Sequence, residues 1–124
     1  MKLFIKSFVY AACGIWFCIR HERNFRIHLV IASYVLGFAP MFSLSRAEWS
    51  VLLLTVAFVL AAEAINTAIE HTVDMLFSDT HPKARIAKDT AAAAVLVCTL
   101  ASVAVGIMLF GHPETLMSVF KNVI

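Results

Sequence analysis

Apolar residues along this chain do not alternate with polar ones. They gather in runs long enough to cross a lipid bilayer. The clearest is Ala91–Phe110, AAAAVLVCTLASVAVGIMLF, which carries no charge over 20 residues. A helix of that length rises about 30 Å, the thickness of the hydrocarbon core. Gly106 and the run Ala91–Ala94 offer small side chains for close helix packing, and Gly111, His112 and Pro113 mark the end. An earlier run occupies about 27–44, with Pro40 near its far end. A third begins at Trp49, is apolar through Ala62, and continues to Phe77 in a helical pattern that contains acids. Neither glycine nor proline interrupts 49–77, so this stretch reads as one long helix whose second half faces something polar.

The first residues have two readings. Lys2 and Lys6 followed by FVYAAC have the outline of a signal peptide. The apolar stretch between Lys6 and Cys13 is six residues, shorter than the roughly 7–15 that such a region needs. A surface helix is the better reading, with Phe4, Phe8, Ala11, Ala12 and Ile15 on one side. The expected architecture is therefore all-α. It is a single membrane domain over 1–124, with an amphipathic surface helix in 1–24 and three membrane helices at about 27–44, 49–77 and 91–110.

Composition agrees that lipid is the solvent. Hydrophobic residues make up 61% and charged residues 15%, where soluble domains have about 45–50% and about 25%. A net charge of +2 is too small for a nucleic-acid binder, so none is expected as a partner. Cys13, Cys18 and Cys98 form neither an even disulfide framework nor a metal-binding CxxC pair, and read as small apolar packers. The placement of charge is more telling. Lys2, Lys6, Arg20, Arg23, Arg26, Lys83, Arg85 and Lys88 fall on one side of the spans, and only Arg46 and Lys121 on the other. By the positive-inside rule the N-terminus and the second loop are cytoplasmic, which puts the C-terminus outside.

The acids are as uneven. Glu22, Glu63, Glu70, Asp74, Asp79 and Asp89 lie on the cytoplasmic side or in the cytoplasmic half of a span; Glu48 and Glu114 do not. At about 100° per residue, Glu70 and Asp74 are each rotated about 20° from Glu63, in opposite senses. The three share one helix face, spread over about 16 Å, with Asn66 beside it. Ionisable side chains in a membrane helix are costly and point to a functional site. A divalent cation is a natural partner for aligned carboxylates, since hard cations prefer carboxylate oxygen. Two other readings stand beside it: a polar seam paired with cations of neighbouring helices, and an ion or proton path.

Other signals are weaker. His21-Glu22 begins an HExxH pattern, but position 25 is Phe25, so no second ligand follows. His21 and His28 are seven apart and read as interfacial; His71 and His81 read as hydrogen-bonding neighbours of the acids. Neither GxxxxGK[ST] nor GxGxxG occurs, so a nucleotide site would be built from side chains. HPKARIAKD (81–89) reads as a loop that anchors the third span. Lys88-Asp89 falls at that span's start, where free backbone N–H groups would also meet a phosphate.

AEAINTAIEHTVD (62–74) followed by ARIAKDTAAAAVL (84–96) closely resembles the signature of the small bacterial diacylglycerol kinase family. ERNFRIH (22–28) and SFVYAACGI (7–15) resemble its undecaprenol-kinase branch. The resemblance covers roughly Ser7 to Leu100. It implies a homotrimer in the bacterial inner membrane that phosphorylates a lipid alcohol from ATP with magnesium. Carried over by motif, Glu63 would be the general base and Glu22 and Glu70 would hold the metal on ATP. Asn66 would help order the site, with Asp74 in support. Lys88 and Asp89 would contact nucleotide, and Tyr10, Asp79 and His81 would line its pocket. Where relatives carry an arginine near the start of the surface helix, this chain has Leu3, with Lys2 and Lys6 as the neighbouring cations. Phosphoryl transfer needs charge placement more than covalent chemistry, and the order of the acids suits it. Glu63 lies deepest, where a lipid hydroxyl would sit, and Glu70 and Glu22 lie nearer arriving MgATP. Undecaprenol is the expected acceptor; diacylglycerol, and a small oligomeric ion or proton transporter, are the alternatives.

Overall fold

A computed structural model describes residues 2–77, 81–111 and 117. Among them four α-helices follow one another: α1 (Lys2–His21), α2 (Arg23–Phe38), α3 (Arg46–Leu76) and α4 (Pro82–Phe110). A single residue, Glu22, joins α1 to α2. Its extended backbone (φ −96°, ψ 114°) makes the corner. Arg26 ties that corner by donating from Nη1 to the Arg20 carbonyl at 2.9 Å, which serves a carbonyl left open at the end of α1.

α2 tightens into a 3₁₀ turn over Ala39–Phe42, where Pro40 has no N–H to continue the ladder. Ser43 then takes a left-handed conformation (φ 51°) and Ser45 starts α3. Ser45 Oγ accepts from the Glu48 N–H at 3.3 Å, and Glu48 Oε2 accepts from the Ser45 N–H at 2.7 Å. This reciprocal cap satisfies two donors that the helix start would otherwise leave open. α3 runs unbroken for 31 residues and α4 for 29. At 1.5 Å per residue they are about 46 and 44 Å long, more than the hydrocarbon core requires.

The helices begin earlier than their apolar runs. α2 starts at Arg23, α3 at Arg46 and α4 at Pro82, because charged residues extend each helix beyond its apolar stretch. The change matters most in 81–89. This segment is not a loop: Pro82 occupies the first turn of α4, where its missing N–H costs nothing. Lys88 and Asp89 are thus about two turns inside the helix, where backbone N–H groups are already bonded. The expected phosphate contact from free N–H groups there is ruled out, leaving only the side chains.

Three helical stretches, Arg23–Phe42, Arg46–Leu76 and Pro82–Phe110, are long and apolar enough to cross a membrane. Their outer surfaces fit that solvent: Leu54, Phe58, Leu96, Val97, Ile107 and Met108 are all more than half exposed. A wet surface so apolar would aggregate. α4 returns along α3. Ala39, Leu52 and Leu109 form a buried cluster at one end of the bundle, with Phe42 and Phe110 packed edge to face at 4.8 Å. Toward the other end Phe25, Ala84, Ala91 and Val95 are buried, together with three polar residues of α3: Glu63, Asn66 and Thr67.

Candidate functional site

The acidic face of α3 is divided by depth. Glu63 is 3% exposed, Glu70 half-buried and Asp74 exposed. Each meets a different neighbour. His28 of α2 brings Nε2 within 3.4 Å of Glu63 Oε1. Asn66, one turn from Glu70 on the same helix, donates from Nδ2 to Glu70 Oε1 at 3.0 Å. Lys88 of α4 donates from Nζ to Asp74 Oδ1 at 2.8 Å. The polar-seam arrangement describes Asp74, whose partner is a lysine of α4, and Glu63 too meets a neighbouring helix, through a histidine rather than a lysine or arginine.

The corner between α1 and α2 delivers a further carboxylate. Glu22 Oε1 lies 3.3 Å from His71 Nε2, and His71 is the residue after Glu70 on α3. Glu22 is thereby held at the level of Glu70, with both in electrostatic range of Glu63. Phe17 of α1 packs its ring edge against His71 at 5.3 Å and secures the same contact.

The donors in this region are oxygens of the kind a hard cation prefers. Besides the carboxylates of Glu22 and Glu70, Asn66 Oδ1 is buried without a hydrogen-bond partner, a lone pair with nothing to meet it. Among the described residues, no three His, Cys, Asp or Glu side chains cluster tightly enough to hold a metal ion by themselves. The set fits magnesium, which keeps several waters and is bound through one or two carboxylates plus substrate phosphates.

Two pockets open on the site. One, of about 300 Å³, lies between α2, α3 and α4 and is lined by Asn24, Ile27, His28, Glu63, Ala92, Val95, Leu96 and Thr99. It gives the buried Glu63 an opening. The other, of about 250 Å³, lies between the end of α3 and the start of α4, and gathers Asp74, Arg85, Lys88 and Asp89. An apolar cleft of about 240 Å³ runs from His28 past Val59 to Phe110.

Other expected site residues stand apart. Tyr10 is exposed on α1, about 18 Å along the helix axis from Glu22. His81 precedes α4, with its ring 5.0 Å from that of Phe77 and its Nδ1 buried without a partner. Asp89 is exposed and faces Arg85 at 3.7 Å. Asp79 and the side chain of Leu3 lie outside the described residues. Of the three cysteines only Cys18 is buried, while Cys13 is exposed, so the common packing role expected for them does not hold. Burial, and then the Glu22 carboxylate, push the Cys18 thiol above its usual pKa.

His71 neighbours an acid as its sequence position suggests, whereas His28, which reads as interfacial, lies against the buried Glu63. The seven-residue interval between His21 and His28 spans the corner at Glu22, so the two stand on different helices. The partner of His28 is 35 positions away, and no local pattern reveals it.

Comparison with known proteins places the whole site in one matched region. The model of prokaryotic diacylglycerol kinase matches residues 9–110. An undecaprenol kinase of Bacillus subtilis is 44% identical over 110 residues, covering 89% of this chain and 89% of that protein. A diacylglycerol kinase of Synechocystis is 41% identical over 101 residues, 81% of this chain and 58% of the relative. A diacylglycerol kinase of Helicobacter pylori is 31% identical over 96 residues, covering 77% and 75%.

Proposed function

The chain belongs to the prokaryotic diacylglycerol kinase family and is a membrane lipid kinase; from that premise we propose that it phosphorylates undecaprenol from ATP. The observation that carries the choice of acceptor is the 44% identity to an undecaprenol kinase over 89% of both chains. Diacylglycerol is the second reading, favoured by the Synechocystis and Helicobacter relatives.

In this reading Glu63 is the general base. It is the most buried carboxylate of the acidic face, and it opens into a pocket with apolar walls where a lipid hydroxyl can enter. The acceptor proton passes to Glu63 as the acceptor oxygen bonds to the γ-phosphorus and ADP leaves. Glu22 and Glu70 hold magnesium on the phosphates, and Asn66 fixes Glu70 through its 3.0 Å hydrogen bond. Bound there, magnesium supplies neutralisation of the phosphate charge. Lys88 and Asp89, with Tyr10, Asp79 and His81, serve the nucleotide. The N-terminus and α1 lie on the cytoplasmic face of the inner membrane, and the chain works as a homotrimer.

The test is radiolabelled phosphate transfer from ATP in one bilayer composition, with undecaprenol and diacylglycerol compared. The expected kcat/KM is higher for undecaprenol; a reversed ratio assigns diacylglycerol. Glu63→Gln keeps the shape and removes the base, and turnover is expected to fall roughly 10²–10⁴-fold in folded protein. Full activity in that variant would overturn the assignment of the base.

A further inference from the structure

A threonine in a helix ordinarily turns its hydroxyl back to the carbonyl one turn earlier. Thr55, Thr72 and Thr90 do so here, donating to Val51, Ala68 and Ile86 at 2.7, 2.7 and 2.8 Å. Thr99 does not. Its Oγ1 is buried and has no hydrogen-bond partner, although Ser102 donates to the Thr99 carbonyl at 2.8 Å. Buried hydroxyls are ordinarily satisfied, so an unsatisfied one calls for an explanation. Its location supplies one, because Thr99 lines the same pocket as Glu63, His28 and Asn24.

The geometry points to Thr99 as a substrate-orienting residue whose hydroxyl donates a hydrogen bond to the oxygen of the acceptor alcohol. This rests on the reading of Glu63 as the base. The occupant is a lipid with a terminal hydroxyl. Polar residues of three helices line the pocket, while Val95 and Leu96 give it an apolar wall for the adjoining chain. An alcohol oxygen has one hydrogen and two lone pairs. With its hydrogen given to Glu63 and one lone pair held by Thr99, only the second lone pair remains to attack phosphorus. The oxygen–phosphorus bond forms with that pair, the bond from phosphorus to the bridging oxygen breaks, its electrons leave with ADP, and the proton rests on Glu63. Thr99 thus fixes rotation of the acceptor hydroxyl about its C–O bond, a freedom that Glu63 alone leaves open. Restricting the reactants to an attack-ready geometry is a recognised source of rate.

Thr99→Val in the full chain removes the hydroxyl and keeps the shape, and Thr99→Ser restores it. In bilayers with undecaprenol, Thr99→Val is expected to lower kcat/KM for the lipid roughly five- to tenfold, as the loss of one neutral hydrogen bond implies. KM for MgATP stays at the parent value, Thr99→Ser behaves as the parent, and the thermal midpoint of Thr99→Val is not lowered. Parent-like lipid kinetics in Thr99→Val, as when the pocket holds only water at that point, would overturn the proposal, as would a change confined to KM for MgATP. Undecaprenol binding without ATP gives a second measurement. The lipid should raise the thermal midpoint less in Thr99→Val than in the parent, and equal shifts overturn the proposal whatever the kinase activity. Absence of lipid phosphorylation by the parent, with the difference in binding preserved, instead removes the proposed reaction and leaves the contact standing.

Discussion

His28 Nε2 stands 3.4 Å from Glu63 Oε1, bringing an imidazole from α2 against the most buried carboxylate of α3. An imidazole N–H at that place would hold the carboxylate in one orientation. His28 is a positioning residue in this arrangement, acting through Glu63. His28→Gln should therefore lower kcat, by about 10²-fold if a misplacement of near 1 Å results, with KM for MgATP unchanged. Parent-like kcat in folded His28→Gln, measured with saturating lipid and nucleotide, shows that Glu63 holds its orientation without the imidazole.

Glu22 and Glu70 approach the site from different elements, one from the α1–α2 corner and one from α3. If the two hold magnesium as proposed, removing either charge takes away one of the few protein ligands available to the ion. Glu22→Gln and Glu70→Gln are expected to raise the magnesium concentration at half-maximal activity severalfold. A magnesium titration that superimposes on the parent's excludes that residue as a ligand. The His71 contact of Glu22 gives a control, since His71→Gln should disturb the Glu22 variant less than it disturbs the parent.

The cysteines offer a pH test that leaves the site intact. The thiolate is the reactive form, and burial beside Glu22 disfavours it at Cys18. With its pKa raised, Cys18 stays a thiol at alkaline pH values where an exposed cysteine is already ionised. Alkylation of Cys13, which is exposed, should then lead that of Cys18 across pH 7–9, followed by mass spectrometry of the two sites. Equal rates at each pH would mean that α1 does not pack as described.

One chain buries Glu63 but leaves Glu70 half-buried and Asp74 exposed, and polar groups exposed to hydrocarbon cost several kcal/mol. If association into the proposed homotrimer covers that row with a neighbour, residues of one site come from two chains. Mixing inactive Glu22→Gln with inactive Glu63→Gln should then restore part of the activity. Failure to complement, in samples shown to exchange subunits, assigns each site to one chain.

Some of this arrangement is legible in the sequence. The apolar runs located three spans, because lipid tolerates no other pattern of such length, and the spacing of Glu63, Glu70 and Asp74 put them on one face. The starts of the helices were not readable, since charged residues such as Arg23 and Lys83 carry the helix beyond the apolar stretch that marks it. Partners distant in sequence were hidden as well. Glu22 meets His71 49 positions away because the chain turns at one residue, and Lys88 meets Asp74 because α4 folds back along α3. Thr99 gave no signal at all: one hydroxyl in an apolar run is unremarkable until its missing bond is seen.

The brevity of the corner at Glu22 has a mechanical consequence. With one residue between α1 and α2, and Arg26 bonded back across the turn, no slack exists to absorb a displacement of α1. Whatever sets the height of that helix sets the height of the Glu22 carboxylate too. The corner behaves as a short rigid crank: a lift or tilt of α1 is delivered as a shift of the Glu22 carboxylate.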